Sequence, residues 1–198
     1  FSEVADYLKA NIKKGDLVIE IGPGLGNLTK SLSEKAGQVI AVEIDKNMVE
    51  ILEKEYSYLE NLTILNQDIM ETDLNEVISK FKDIDKVKVV ANLPYYITTP
   101  IIMKLLEDEI NIELIEVMIQ EEVALRFCAK PSSKDYGAIT LAINYYTEPS
   151  YVISAKAKEF LPSPDVDSAV VKMDIKKEKI AVSDKELLFK IIKASFAM

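Results

Sequence analysis

The sequence contains no histidine and only one cysteine, Cys128, among its 198 residues. Without histidine the chain cannot build a catalytic triad that relies on an imidazole base. Histidine and cysteine are also the usual zinc ligands, so the sequence predicts no metal site. A single cysteine cannot form an internal disulfide, and the fold therefore does not depend on an oxidising compartment.

Long apolar runs are missing as well. Residues 87–93 form one of the longest, and Lys88 interrupts it, whereas a membrane-spanning helix needs about 20 apolar residues. No basic segment followed by an apolar stretch opens the sequence, so no secretion signal is evident. A composition with 48% hydrophobic and 29% charged residues is typical of a globular protein. We expect one domain in the cytoplasm, without a membrane partner.

Basic residues are scarcer than acidic ones, 24 against 33. The net charge is −9, whereas nucleic-acid-binding proteins usually present a basic surface. The deficit is uneven, because residues 1–150 carry −11 and residues 151–198 carry +2. If the protein binds a nucleic acid, the C-terminal stretch is therefore the part that we expect to face it.

Short apolar segments alternate with segments of helical periodicity. The predicted strands cover residues 17–21, 38–43, 62–65, 87–91, 114–119, 151–155 and 168–175. The predicted helices cover residues 2–11, 46–56, 74–81, 98–108, 120–129 and 184–196, and one ending near residue 35. Residues 138–145 fit a helix or a strand. Five strand–helix repeats predict an α/β fold with a Rossmann-like, doubly wound, mostly parallel sheet, and the last two strands predict an antiparallel hairpin at one edge.

A glycine-rich loop follows the first predicted strand, at the end of the sheet where ligands bind in such folds. Gly22, Gly24 and Gly26 alternate with other residues, and glycines allow a sharp turn and a close approach of the backbone to a ligand. Taken alone, such a loop is equally an ordinary strand–helix turn. Glu43 lies 21 residues after Gly22, the spacing of an acidic residue that accepts hydrogen bonds from ribose hydroxyls. Together they predict a bound nucleoside.

Asp68 and Ile69 follow the third predicted strand. The carboxylate could accept a hydrogen bond from an adenine amine, with Ile69 packed on the ring; alternatively, Asp68 is an ordinary loop or capping residue. No lysine follows the glycines as in a phosphate-binding loop. S-adenosylmethionine is an adenosine joined to an amino acid without phosphate, and it therefore fits better than NAD or ATP.

The segment Asn92-Leu93-Pro94-Tyr95 ends the fourth predicted strand. It could be a proline turn capped by asparagine, but its groups also suit methyl transfer to adenine. The adenine amine becomes cationic as it attacks a methyl group, and the carbonyls of Asn92 and Leu93 could stabilise that charge. Pro94 fixes the backbone, and Tyr95 offers a face for stacking. A paired base cannot reach such a site, so the target is flipped out or single-stranded.

Seven segments, in order, read IEIGPGLGNLT, VEID, NQDI, VANLPYYITTP, QEEVALRF, KPSSKDYGA and EFLPSPDVDSAVV. Between about Asp16 and Val171 the sequence resembles the KsgA-type ribosomal RNA adenine dimethyltransferases. The resemblance implies a fold of the S-adenosylmethionine-dependent methyltransferase type. It also implies dimethylation of N6 on two adjacent adenines in a hairpin near the 3′ end of small-subunit rRNA, within the immature small ribosomal subunit. We expect a monomer.

The resemblance also assigns roles to residues. It implies a cofactor site formed by Gly22, Gly24, Glu43, Ile44, Asp68, Ile69 and Asn92. It implies that Asn92, Leu93, Pro94 and Tyr95 hold the target amine and that Phe160 packs on the other face of the base. Phe160 could equally be an aromatic residue of the core.

Members of this family carry a segment with glutamine and phenylalanine before the first helix, and a small helical RNA-binding domain after the catalytic domain. The 198 residues match neither. We therefore expect residues 1–198 to be one catalytic domain that folds but methylates poorly by itself.

Three alternatives remain open at this stage. Macrolide-resistance methyltransferases modify large-subunit rRNA with a similar N-[LI]-P-Y site, although the K-D-Y-G and P-x-V-D-S stretches favour the KsgA type. A non-catalytic assembly or transcription factor could keep the fold and lose methyl transfer. Methylation of DNA or of a protein amide usually goes with D-P-P-Y or N-P-P-Y, and Leu93 disfavours it.

Overall fold

The computed structural model describes residues 2–159, 164–178 and 180–197. Within these residues the chain forms seven β-strands and eight α-helices. The strands are β1 (Asp16–Ile21), β2 (Gln38–Glu43), β3 (Leu62–Asn66), β4 (Lys86–Asn92), β5 (Ile112–Gln120), β6 (Thr147–Ala155) and β7 (Ser168–Ile175). The helices are α1 (Ser2–Leu8), α2 (Thr29–Lys35), α3 (Lys46–Glu55), α4 (Leu74–Ser79), α5 (Thr98–Glu107), α6 (Glu121–Phe127), α7 (Ala138–Tyr146) and α8 (Lys185–Ser195). None of these helices is long and apolar enough to cross a membrane.

The strands form a single sheet in the order β3-β2-β1-β4-β5-β7-β6. Strands β1 to β5 pair in parallel, and β7 pairs antiparallel with both β5 and β6. The predicted α/β fold and its antiparallel edge hairpin are therefore confirmed. The chain leaves β3 at one edge and returns to place β4 beside β1. This reversal puts the carboxyl ends of β1 and β4 next to each other, which is where doubly wound sheets bind ligands.

The central strands are apolar on both faces because helices cover both faces. One face of the sheet contributes Ile19 and Val89 to a core that includes Phe127. The other face contributes Val18 and Val90 to a second core, against α1 and α2. Continuous burial along β1 follows from this two-sided packing.

Aspartate side chains begin three of the helices. Asp45 accepts a hydrogen bond from the backbone N–H of Asn47 at 2.8 Å, ahead of α3. The side chains of Asp73 and Asp184 likewise accept a hydrogen bond at the starts of α4 and α8. In both cases the donor is the backbone N–H three residues later in the sequence. A capping side chain satisfies an N–H that has no partner inside the helix, and it thereby fixes where each helix starts.

A buried ion pair lies near the amino ends of β1 and β4, opposite the carboxyl ends described above. Lys88 of β4 donates to Asp16 Oδ2 of β1 at 2.7 Å and to the backbone carbonyl of Asn11 at 2.7 Å. The side chains of Lys88 and Asp16 are only 6% and 2% exposed. Glu113 of β5 is a more distant partner, at 3.7 Å from Lys88 Nζ. This cluster joins the turn after α1 to β1, β4 and β5, and it explains why a lysine interrupts an apolar strand.

Candidate active site

The carboxyl ends of β1, β2, β3 and β4 surround a cleft of about 380 Å³. Gly22, Glu43, Asp68 and Pro94 line it, one from each strand end, and Ile44 and Ile69 lie beside them. A larger groove of about 530 Å³ is lined by α8 and Glu107, and no strand end contributes to it. The cleft at the strand ends is therefore the candidate site, because that is where this topology positions ligand-binding groups.

The glycine loop shows why the sequence needs glycine at alternate positions. Gly22, Gly24 and Gly26 have φ angles of 65°, 56° and 81°, in the region that side chains disfavour. A Cβ on Gly24 would meet nothing within 4 Å, and one on Gly22 would meet only Pro94, at 3.9 Å. A Cβ on Gly26 would instead lie 2.2 Å from the ring of Tyr56. Gly22 and Gly24 therefore leave open space for a ligand, whereas Gly26 allows the loop to pack on α3.

Glu43 is held rigidly at the end of β2. Its Oε2 accepts a hydrogen bond from the Gly24 N–H at 3.2 Å, and its Oε1 accepts one from the Asp45 N–H at 2.9 Å. The side-chain amide of Asn66 donates to the backbone carbonyls of Glu43 and Ile44 at 2.9 and 3.2 Å. The ends of β2 and β3 and the glycine loop thus form one unit. Sequence reasoning missed Asn66, and only its place at the end of β3 could have indicated it.

The contacts of Asp68 confirm that it is a capping residue, and its hydrogen bond to an adenine amine stays a prediction. Its Oδ1 accepts a hydrogen bond from the Met70 N–H at 2.8 Å, and its backbone carbonyl accepts one from Thr72 Oγ1 at 2.7 Å. The residue therefore caps its own turn, and it also lines the cleft. Ile69 is buried and Ile44 is 65% exposed. These two apolar side chains provide walls beside a carboxylate.

Asn92, Leu93, Pro94 and Tyr95 follow one another at the end of β4. The Leu93 side chain is buried, and its N–H donates to the Met118 carbonyl of β5 at 3.0 Å. Asn92 is exposed. Of the four, only Pro94 lines the cleft. The other three are next to Pro94 in the sequence and lie beside the cleft. A second substrate bound at this loop would therefore be close to a ligand in the cleft.

Tyr95 is half-buried, and its hydroxyl lies 2.6 Å from Oγ of Ser168. Ser168 begins β7 and is fully buried. Sequence reasoning missed this partner, which is 73 residues away along the chain. Phe160, the residue predicted to pack on the other face of the base, lies outside the described residues.

Glu20 is a third acidic residue near this end of the sheet, after Glu43 and Asp68, and sequence reasoning missed it. It lies on β1, two residues before Gly22, and is 1% exposed. Its Oε2 has no hydrogen-bond partner among the residues that the structure describes. Burial raises the pKa of Glu20 to about 8, and the charge of Glu43 adds to the rise, whereas Thr29 opposes it. The carboxyl is therefore held mainly in its neutral form at pH 7.

The pKa of Glu20 predicts that stability depends on pH. Between about pH 4.5 and 8 the folded chain binds this proton and the unfolded chain releases it, so the free energy of unfolding falls as the pH rises. Glu20→Gln removes the titration. Relative to this variant, we expect the free energy of unfolding of the wild type to fall by roughly 2 kcal/mol between pH 5 and 8. This fall is smaller than the pKa difference alone would give, because buried sites relax. Urea unfolding at a series of pH values measures the difference.

Glu50→Gln serves as the control, since Glu50 is exposed on α3. Its unfolding free energy should follow that of the wild type across the same pH range. Parallel curves for Glu20→Gln and the wild type would contradict a raised pKa at Glu20.

Metal-dependent and thiol-based chemistry find no support in the described part of the chain. No group of three metal-ligating side chains occurs among those residues. Burial raises the pKa of Cys128 to about 11, which keeps the thiol protonated and unreactive.

Comparisons with known proteins agree with this geometry. A sequence profile of the family described as "Ribosomal RNA adenine dimethylase" matches residues 6–198. The chain is 49% identical over 189 residues to "Ribosomal RNA small subunit methyltransferase A" of Lachnoclostridium phytofermentans, covering 94% of the chain and 65% of that protein. It is 49% identical over 182 residues to the Bacillus licheniformis protein of the same name, covering 91% of the chain and 62% of that protein. The chain thus spans less than two thirds of these relatives.

A solved structure shares the fold. The crystal structure of a dimethyladenosine transferase from Plasmodium falciparum superposes with a TM-score of 0.82 at 30% sequence identity. The match covers 98% of the chain and 67% of that structure. The sheet order, with its parallel strands and antiparallel edge, is therefore that of this group of methyltransferases.

Proposed function

Because the chain belongs to the ribosomal RNA adenine dimethylase family, we propose that it is the catalytic part of an S-adenosylmethionine-dependent methyltransferase. Its substrate is the N6 amine of two adjacent adenines near the 3′ end of small-subunit rRNA. The observation that carries the proposal is the position of Asn92-Leu93-Pro94-Tyr95. This segment adjoins a cleft that fits a nucleoside, at the topological switch point of the sheet.

The cleft fits S-adenosylmethionine by the chemistry of its lining. Gly22 and Gly24 leave room where side chains would be, and Glu43 is oriented by backbone N–H groups to accept hydrogen bonds from ribose. Asp68 would accept a hydrogen bond from the amine of the cofactor's adenine, and Ile44 and Ile69 would flank its ring. S-adenosylmethionine supplies a methyl group on a positively charged sulfur, so neither a metal nor a covalent protein intermediate is required.

The loop after β4 holds the target amine. The side-chain carbonyl of Asn92 and the backbone carbonyl of Leu93 accept hydrogen bonds from the amine and stabilise its developing positive charge. The Pro94 carbonyl accepts from Thr98 Oγ1 at 2.9 Å, which ties the loop to α5. Tyr95 stacks on the target adenine, and Phe160, the residue predicted for the other face of the base, lies outside the described residues. What remains of the catalysis is alignment of the amine with the methyl group.

Small-subunit rRNA is the substrate that the relatives favour, since both bacterial relatives are named for it. The charge of the chain is consistent with an RNA that approaches from the C-terminal stretch, where residues 151–198 carry +2. We propose that the protein acts as a monomer on the immature small ribosomal subunit in the cytoplasm. Residues 1–198 form the catalytic domain.

Methyl incorporation tests the proposal directly. The chain is incubated with S-adenosylmethionine labelled in the methyl group and with unmethylated small ribosomal subunits, and the rRNA is digested to nucleosides. We expect label in N6,N6-dimethyladenosine. The L. phytofermentans relative serves as the positive control, and we expect the chain to be slower because it spans 65% of that protein.

Large ribosomal subunits, incubated in parallel, test the alternative substrate of the macrolide-resistance type. Label in large-subunit rRNA alone would replace the proposed substrate. Absence of label with both the relative and the chain, although both bind S-adenosylmethionine, would overturn the proposed substrate and favour another substrate or a non-catalytic factor built on the same fold.

A further inference from the structure

The Tyr95 hydroxyl and Ser168 Oγ lie 2.6 Å apart, and either oxygen can be the donor. This contact joins the loop after β4 to the first residue of β7. Tyr95 is half-buried on a loop, whereas Ser168 is fully buried within the sheet. The two ends of the hydrogen bond thus differ in burial, and Ser168 is the end held within the sheet.

Strand pairing and two hydrogen bonds to the preceding residue hold Ser168 in place. It pairs with Gln120 of β5 on one side and with Ala155 of β6 on the other, so strands flank it on both sides. The preceding residue, Asp167, accepts a hydrogen bond from the Glu121 N–H at 3.0 Å through its backbone carbonyl. The Asp167 carboxylate accepts another from the Ala157 N–H at 2.9 Å. Ser168 is therefore a rigid point beside the catalytic loop.

The neighbouring tyrosine provides a contrast. Tyr96 is 85% exposed, and none of the side-chain hydrogen bonds found in the described residues involves its hydroxyl. A tyrosine ring that is anchored only through Cβ can rotate about two side-chain torsions. The hydroxyl oxygen lies on the axis of the second torsion, so a hydrogen bond there restricts mainly the first torsion and fixes where the ring lies.

We propose that Ser168 is a positioning residue, which fixes the position of the Tyr95 ring so that the target adenine stacks in the place needed for methyl transfer. The proposal rests on the proposed function for its effect on the reaction, but the orientation of the ring can be measured without substrate. Ser168 does not touch the base. It acts only through the Tyr95 hydroxyl, so its removal affects the reaction only by the loss of that hydrogen bond.

A double-mutant cycle tests this pathway of action. Ser168→Ala and Tyr95→Phe each remove one end of the hydrogen bond and keep the rest of the side chain. We expect each variant to lower kcat for methyl transfer by about five- to tenfold, as expected for one hydrogen bond, with the Kd for S-adenosylmethionine unchanged. The double variant should be no slower than either single variant, because the same interaction is lost. Additive losses would overturn the proposal, since they mean that Ser168 acts independently of Tyr95.

Ring dynamics give a second readout that needs neither substrate nor activity. In protein with ¹³C-labelled tyrosine rings, NMR relaxation should show a lower order parameter for the Tyr95 ring in Ser168→Ala, while the Tyr96 ring is unchanged. Ser150→Ala is the matched control, since Ser150 lies on the same hairpin and bonds to the Lys172 carbonyl at 3.3 Å. An unaltered Tyr95 ring in Ser168→Ala would overturn the proposal. If the ring loosens but the wild type transfers no methyl group, the proposed function fails while the positioning contact stands.

Discussion

Replacing Asn92 with alanine is expected to lower kcat for methyl transfer by about 10²–10³, the loss typical of removing one group that stabilises charge in a transition state. The adenine amine is a weak nucleophile and carries positive charge only as the new bond forms. A carbonyl aimed at that amine therefore lowers the barrier more than it strengthens binding of the RNA. Asn92 ends β4 and is exposed beside the cleft, so the substitution leaves no cavity in the core.

Single-turnover methyl transfer with unmethylated small ribosomal subunits measures this loss. Asn47→Ala is the matched control, because Asn47 is also exposed but lies on α3, outside the lining of the cleft. The control should retain wild-type kcat. Unfolding by urea establishes that both variants fold. Near-normal turnover by Asn92→Ala would overturn the proposed contact with the amine.

The fold could be predicted because its signal is local and repeated. Parallel strands buried on both faces appear as short apolar runs, and all seven predicted strands correspond to strands of the structure. Residues 138–145 were ambiguous because a short buried run lacks a polar face, and the structure makes them the helix α7, with Ile143 and Tyr146 buried. Strand β6 begins at Thr147, four residues before the predicted start. Glu148 and Pro149 are uncommon in strands, so the sequence did not predict this start. An edge strand tolerates both residues.

The site could be predicted only where its residues follow strands. Gly22, Glu43, Asp68 and Pro94 come from four strand ends that parallel pairing brings to one edge. The supporting contacts depend on which strands are neighbours, and spacing along the sequence does not give that order. Asn66 binds the backbone after β2 only because β3 lies beside β2. Ser168 reaches Tyr95 only because the antiparallel hairpin places β7 next to β5.

The buried ion pair between Lys88 and Asp16 lies at the opposite end of the strands from the site. We expect it to be the main contribution to the stability of that end of the sheet. Lys88→Met should lower the free energy of unfolding by about 3–5 kcal/mol, the usual cost of leaving one buried charge without its partner. Asp16 Oδ2 would keep only the hydrogen bond from the Lys13 N–H, at 2.7 Å. The backbone carbonyl of Asn11 would lose its bond from Lys88 as well. Urea unfolding at pH 7 measures the change.

Lys86→Met provides the matched control two residues away on the same strand. Lys86 forms an ion pair with Glu113 at 3.0 Å, but both side chains are about half exposed, and such pairs contribute at most about 1 kcal/mol. Burial accounts for the difference between the two lysines, because water already solvates Lys86 and cannot reach Asp16. Combining Lys88→Met with Asp16→Leu should recover part of the lost stability, since an apolar pair leaves no charge unpaired. Equal effects of the two lysine substitutions would contradict this account, and failure of the double variant to recover would show that Asp16 also stabilises the turn before β1.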